Sequence, residues 1–164
     1  MVPASYVEFM ITSAGAAAAM IGLLFVAISL RNDIVFGENA PARVKTLAGS
    51  SFTGLVNAFS LSLLAIIPST NIGVGMIILA VACLYSTWNL HSHALGATQY
   101  RLIALTTLTY LAQFAGGVTL LARPHSSWIV NGLSYVIFAS FVLSLTRAWQ
   151  LIQAESPKVP GASS

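Results

Sequence analysis

Charge is what this sequence has least of. Asp, Glu, Lys and Arg make up 7% of its 164 residues, whereas a soluble domain carries about 25% because its surface must be wetted. Seven basic and four acidic side chains cannot cover a 17.2 kDa particle in water. Cysteine is nearly absent as well: Cys83 is alone, so neither an intrachain disulfide nor a CxxC metal or redox motif can form. The acidic residues are confined to Glu8, Asp33, Glu38 and Glu155. No paired carboxylates, Walker loop, GxGxxG or HExxH is present, and with them go the common routes to hydrolysis, nucleotide binding and metal catalysis. The chain reads as a non-enzyme that needs no cofactor.

What remains is apolar: 57% hydrophobic residues and a mean hydropathy of +0.84. The charges mark out the segments. Between Lys45 and Arg101 there is none, and a helix crosses about 30 Å of hydrocarbon with roughly 20 apolar residues, so that stretch holds two spans. The pattern predicts an all-α polytopic membrane protein with five transmembrane helices at about 9–30, 46–67, 72–90, 102–121 and 128–149. These form a single domain over 1–152, and residues 153–164, rich in Pro, Gly and Ser, have the composition of a disordered tail. Asn39 with Pro41 resembles a helix start, placing the beginning of the second helix near Ala40. The apolar stretch after Glu8 has no Lys or Arg before it and is long enough to span, so it reads as a retained helix and not as a signal peptide.

Lys and Arg favour the cytoplasmic side. With the N-terminus outside and the C-terminus cytoplasmic, Arg31, Arg43, Lys45, Arg101, Arg147 and Lys158 fall inside and Arg123 alone outside. Trp88, Tyr100 and Trp149 then sit near the inner interface, Tyr6 and Trp128 near the outer one. The basic residues are dispersed at segment ends, which argues against a nucleic-acid surface. No Asp, Glu, Lys, Arg or His lies deep in a predicted span, which argues against proton-driven transport.

Two kinds of polar pattern stand out. The first helix carries Gly15, Ala18 or Ala19, Gly22 and Ser29 on one face; small residues let helices approach closely in lipid, so this is a helix-packing surface, for another helix of the chain in the first instance or for a second copy. The second helix carries Ser50, Thr53, Asn57 and Ser60 at three-four-three spacing, and the fourth carries Thr106, Thr109, Gln113 and Gly116. Amides near mid-span must find partners. They act either as glue between helices or as the lining of a passive conduit for ions or small solutes; glue is the first reading.

Other candidates are weaker. His91-Ser92-His93 has no Cys or acid nearby to complete a ligand set, and His125 belongs to the opposite side, so no metal is expected. Asn71-Ile72-Gly73-Val74-Gly75 resembles a potassium-channel filter superficially but has Asn and Val in place of its Thr and Tyr and follows a full span instead of a short pore helix.

The run Ala14-Gly15-Ala16-Ala17-Ala18-Ala19-Met20-Ile21-Gly22-Leu23-Leu24-Phe25-Val26-Ala27-Ile28-Ser29-Leu30, followed by a loop with Pro41 and Arg43, resembles the first helix of a group of small bacterial integral membrane proteins. Some of these are described as modulators of a membrane-bound AAA protease. The resemblance covers about the first third of the chain and implies a bacterial plasma (inner) membrane protein, multi-pass, with no site residue carried over. The partners expected are the lipid bilayer and either a second copy or another membrane protein, with no nucleic acid.

Overall fold

In a computed structural model the chain is all-helical, and residues 4–30, 32–37, 40–67, 71–91, 97–123 and 127–153 are described. Five long helices, α1 (Ala4–Leu30), α3 (Ala42–Ile66), α4 (Ile72–His91), α5 (Ala97–Ala122) and α6 (Ser127–Ile152), are joined by a short α2 (Asn32–Phe36) between the first two. All five long helices contain a stretch long and apolar enough to cross a membrane. Each predicted span falls on one of them. Most of the helices overrun the predicted ends, because polar residues such as Thr98 and Gln150 continue a helix past its apolar stretch, while α3 stops one residue short of its predicted end.

Local signals account for the boundaries. Pro41 precedes the first turn of α3 with φ −58° and ψ 134°, and its carbonyl accepts from Val44 at 2.9 Å; proline loses nothing there because the first helical N–H groups have no partner in the helix. Asn71 caps α4, its Oδ1 accepting from the Val74 N–H at 3.4 Å. The filter-like string Asn71 to Gly75 is therefore a cap and a first helical turn. The predicted turn at 68–70, the sequence 92–96 with His93, His125 and the tail from 154 lie outside the described residues.

The unpredicted element is α2. Val35 is buried among Leu24, Val44, Leu47 and Leu151 while Phe36 is exposed, so the connection folds back under α1 and α3. Five residues are too few to show helical periodicity in sequence.

Helix α3 is central: it packs on α1, α4 and α6, and half of its most apolar stretch is buried. Helix α5 packs on α4 and α6, and among the described residues it makes no backbone approach to α3. Four helices thus form a ring in the order α3, α4, α5, α6, with α3 and α5 on the diagonal. The fifth, α1, lies outside the ring against α3. Buried positions recur at three and four residues on three of the ring helices: Gly73, Met76, Ala80, Cys83 and Thr87 on α4; Thr106, Tyr110, Gln113 and Gly117 on α5; Leu133, Ile137, Ser140, Ser144 and Arg147 on α6. That spacing keeps one seam facing inward along a bundle.

Glycines set the closest approach. A Cβ at Gly73 would stand 2.9 Å from the Gly117 carbonyl oxygen, and one at Gly117 would stand 2.8 Å from the Gly73 carbonyl oxygen. Each glycine therefore permits the other's helix to come near, as small residues do wherever apolar burial cannot drive helices together. Gly117→Ala is expected to destabilise by about 1–3 kcal/mol through overpacking. Gly132→Ala, whose added Cβ meets nothing within 4 Å, should be neutral or slightly stabilising. Reversible unfolding of the two variants in mixed micelles checks the contrast.

Candidate functional site: a polar seam inside the ring

The interior of the ring divides by polarity along its length. One half is apolar, built from Ala58, Leu61, Ala65, Met76, Leu133 and Ile137, with Met10 of α1 packed against it from outside the ring. At the boundary stand Asn57 and Gln113, both 0% exposed. They pair reciprocally across the diagonal: Asn57 Nδ2 donates to Gln113 Oε1 at 2.9 Å, and Gln113 Nε2 donates to Asn57 Oδ1 at 3.2 Å. The remaining donor of each amide is used as well, Asn57 Nδ2 reaching Ser140 Oγ at 3.3 Å and Gln113 Nε2 reaching the Met76 carbonyl at 3.1 Å. Cys83 Sγ adds a weak bond to Asn57 Oδ1 at 3.6 Å. One layer thus ties all four ring helices together.

The other half, toward the start of α3 and the end of α6, is polar. The Arg147 guanidinium donates to the Thr106 hydroxyl and is 3% exposed. A cavity of about 10 Å³ lies there, lined by Gly54, Thr106, Tyr110, Ser140, Ser144 and Arg147 among others, about the least space that holds one water. Gly54 brings α3 onto α6 at this point, since any Cβ would collide with the Ser144 hydroxyl.

The predicted polar faces of α3 and α5 are brought together, with changes of detail. Ser50 and Asn57 are buried, Thr53 and Ser60 half-buried. Thr53 bonds the Gly49 carbonyl at 2.9 Å and Ser86 Oγ at 3.2 Å, and Ser50 bonds the Leu47 carbonyl at 3.2 Å. Thr106 is buried; Thr109 is half-buried and bonds the Leu105 carbonyl at 2.8 Å. Gly116 is the exception to the α5 face. It is half-buried beside Met76, and the fully buried glycine is its neighbour Gly117.

Two expectations are corrected. Arg147, expected among the dispersed topology charges at segment ends, is buried inside the bundle. Helix α6 continues to Ile152, and the three-four spacing from Leu133 carries Arg147 onto the inward face. The signal was present as Ser140, Ser144 and Arg147 at helical spacing, but it is legible only when α6 is read as extending past Trp149. The packing face of α1 is not used inside the chain either: Gly15, Ala19, Gly22 and Ser29 are exposed, and a Cβ at Gly15 or Gly22 meets nothing within 4 Å. The inward face of α1 is instead Met10, Ser13, Ala14, Ala17 and Leu24.

Sequence reading missed Ser51, Ser62 and Thr87, which are buried too. Ser51 and Ser62 bond their own helix carbonyls at 2.7 and 2.8 Å, a local satisfaction that needs no second polar helix and leaves no mark in spacing. Among the described residues no three His, Cys, Asp or Glu come together as a metal site would need. The chain matches no protein-family model, no curated protein and no solved structure.

The amide pair yields a direct test. Asn57→Leu or Gln113→Leu alone leaves the other amide buried with lost partners, a loss of about 1–3 kcal/mol. The double variant, which removes both, should be less destabilised than the sum of the two single variants. A double-mutant cycle measured by unfolding in micelles gives the coupling directly.

Proposed function

We propose that this chain is a non-enzymatic integral membrane protein of a bacterial plasma membrane, with its N-terminus outside, that works by assembling, as a homo-oligomer or as an accessory subunit of a larger membrane complex. The observation that carries the reading is the outward stripe of α1. Among five apolar helices α1 has the highest mean hydropathy, 2.1 over its span, yet the side it presents away from the bundle carries Gly15, Ala19, Gly22 and Ser29, with exposed Ile11 and Val26 as the large residues among them. A helix surface bound only for lipid gains nothing from glycine, which weakens a helix by about 0.5–1 kcal/mol relative to alanine. A groove of small residues gains where another helix enters it.

The buried amides support the same reading, because their donors are satisfied within the ring and hold it together. Exposed Trp88 and Trp149, 80% and 61% accessible, suit an interfacial belt at the end where α4 and α6 finish.

A second reading, a passive conduit along the polar half of the ring, is favoured by Arg147 and the hydroxyls around it. It requires the Asn57 and Gln113 amides to part and the apolar half beyond them to open. Sealed liposomes containing the protein would end that reading.

Gly22→Leu tests the first. Nothing within 4 Å of an added Cβ stands in its way, so the fold should be retained while the groove is filled. The expected outcome is a smaller particle in lipid nanodiscs with unchanged helicity and thermal midpoint; an unchanged particle size counts against assembly through α1.

A further inference from the structure

We propose that the partner seated on the outward stripe of α1 is the α5 helix of a second copy of this chain, in a head-to-tail contact locked by Glu8 and Arg123. The inference rests on the self-assembly reading above and adds the identity of the partner surface and its register.

Glu8 belongs to the same stripe. It precedes Gly15 by seven residues, as Gly15 precedes Gly22 and Gly22 precedes Ser29, and a seven-residue step returns to nearly the same face of a helix. Glu8 is exposed. Whatever helix lies on this side meets a carboxylate at one end and, below it, the small residues Gly15, Ala19 and Gly22 between exposed Ile11 and Val26.

A two-fold pairing of α1 with its own copy fits this badly. In one membrane orientation the two α1 helices would run parallel and bring Glu8 against Glu8, a like-charge contact that disfavours the partner. Pairing α5 with α5 would likewise oppose Arg123 to Arg123.

Pairing α1 with α5 matches on both counts. Tyr6 near the start of α1 bonds Asn131 near the start of α6, and α6 follows directly on α5, so Glu8 and Arg123 stand at the same end of the molecule. Arg123 is exposed there, its N–H bonding the Thr119 carbonyl at 2.8 Å so that the helical path continues to it. Below it Ala112, Ala115 and Ala122 are exposed and Thr119 is half-buried, forming a line of small residues flanked by exposed Leu111, Val118 and Leu121. The Thr119 hydroxyl is turned back onto the Ala115 carbonyl at 2.7 Å, which leaves a small surface. The two helices run in opposite directions, as the connectivity dictates. Gly15 lies about 10 Å along α1 from Glu8, and Ala115 about 12 Å along α5 from Arg123, at 1.5 Å per residue. Small residues therefore fall opposite small residues when the charges meet.

The two surfaces are distinct patches: α1 flanks α3, and α5 is the corner of the ring diagonal to α3. The contact is thus heterologous and repeats from copy to copy, giving rings or rows instead of a closed pair.

Cysteine crosslinking of the purified full chain in liposomes tests this. The variant carrying both Gly15→Cys and Ala115→Cys should oxidise to a ladder of dimer, trimer and higher species, while either substitution alone stays monomeric on a non-reducing gel. Added to the double-cysteine variant, Glu8→Arg or Arg123→Glu should each cut the yield severalfold, and the two together should restore it. A dimer from Gly15→Cys alone would assign the groove to α1 of the second copy and overturn the inference while leaving self-assembly intact. Failure of the charge exchange to restore the ladder would overturn the register. A monomer-sized particle in lipid with no crosslink in any variant would overturn both the inference and self-assembly. A crosslink to a different protein in native membranes, with the purified chain monomeric, would overturn the second copy as the occupant.

Discussion

The reciprocal amide pair of Asn57 and Gln113 is the contact on which the rest of the bundle depends. Helices α3 and α5 are diagonal partners with no backbone approach between them, so only long side chains can join them across the middle of the ring. Apolar residues there would pack in several registers. Two amides, each with two donors and one acceptor oxygen, fit when α3, α5, the Ser140 hydroxyl of α6 and the Met76 carbonyl of α4 are all in place. In surroundings where water is not available to an orphaned amide, a slip of one turn in any helix breaks at least one of those bonds. The pair therefore sets register for four helices at once.

That layer also divides the interior. On one side the seam is Met76, Leu61, Leu133 and Ile137; on the other it is Thr106, Tyr110, Ser140, Ser144 and Arg147. A guanidinium turned toward the inside of a helix bundle is expensive to bury, and the Thr106 hydroxyl on α5 accepts from it beside a small cavity that Tyr110, Ser140 and Ser144 also line. The cost is lowered by position, since Arg147 lies five residues from the end of α6. The polar half has room for about a single water, so it reads as packed and solvated interior in this state.

Much of this was legible in the sequence, and the reasons differ by element. The five long helices followed from where the eleven charges are, because length and apolarity are properties of a segment alone. Asn57 and Gln113 stood out since an amide in an apolar run has to be explained wherever it sits. Which way a face turns is another matter. On α3 nearly every side has a neighbour, so Ser51 and Ser62 are buried although they lie off the Asn57 line. On α1 the small residues, expected to pack first against a helix of the same chain, are exposed instead, because spacing marks a face without saying toward which neighbour it turns. Arg147 looks like a topology charge because the apolar stretch ends near Trp149, and its burial follows only from the continuation of α6 to Ile152.

The position of α1 explains why its small residues can be spared from the fold. The ring of α3 to α6 is closed by its own glycines, with Gly73 against Gly117 and Gly54 against Ser144, and by the central amides. Helix α1 adds Met10 to the apolar half and Leu24 to the cluster beneath α2, and the ring's polar seam does not run through it. Its inner side, where Met10, Ser13, Ala14, Ala17 and Leu24 are buried, is committed chiefly to α3. Its outer side combines glycine at intervals of seven with one carboxylate at the end, and neither feature contributes to holding the chain together. Glycine lowers the helix's own stability, and an exposed carboxylate at the margin of an apolar helix opposes burial. A helix of opposite direction that carries small residues and a cation at the matching end, as proposed above, would account for both at once.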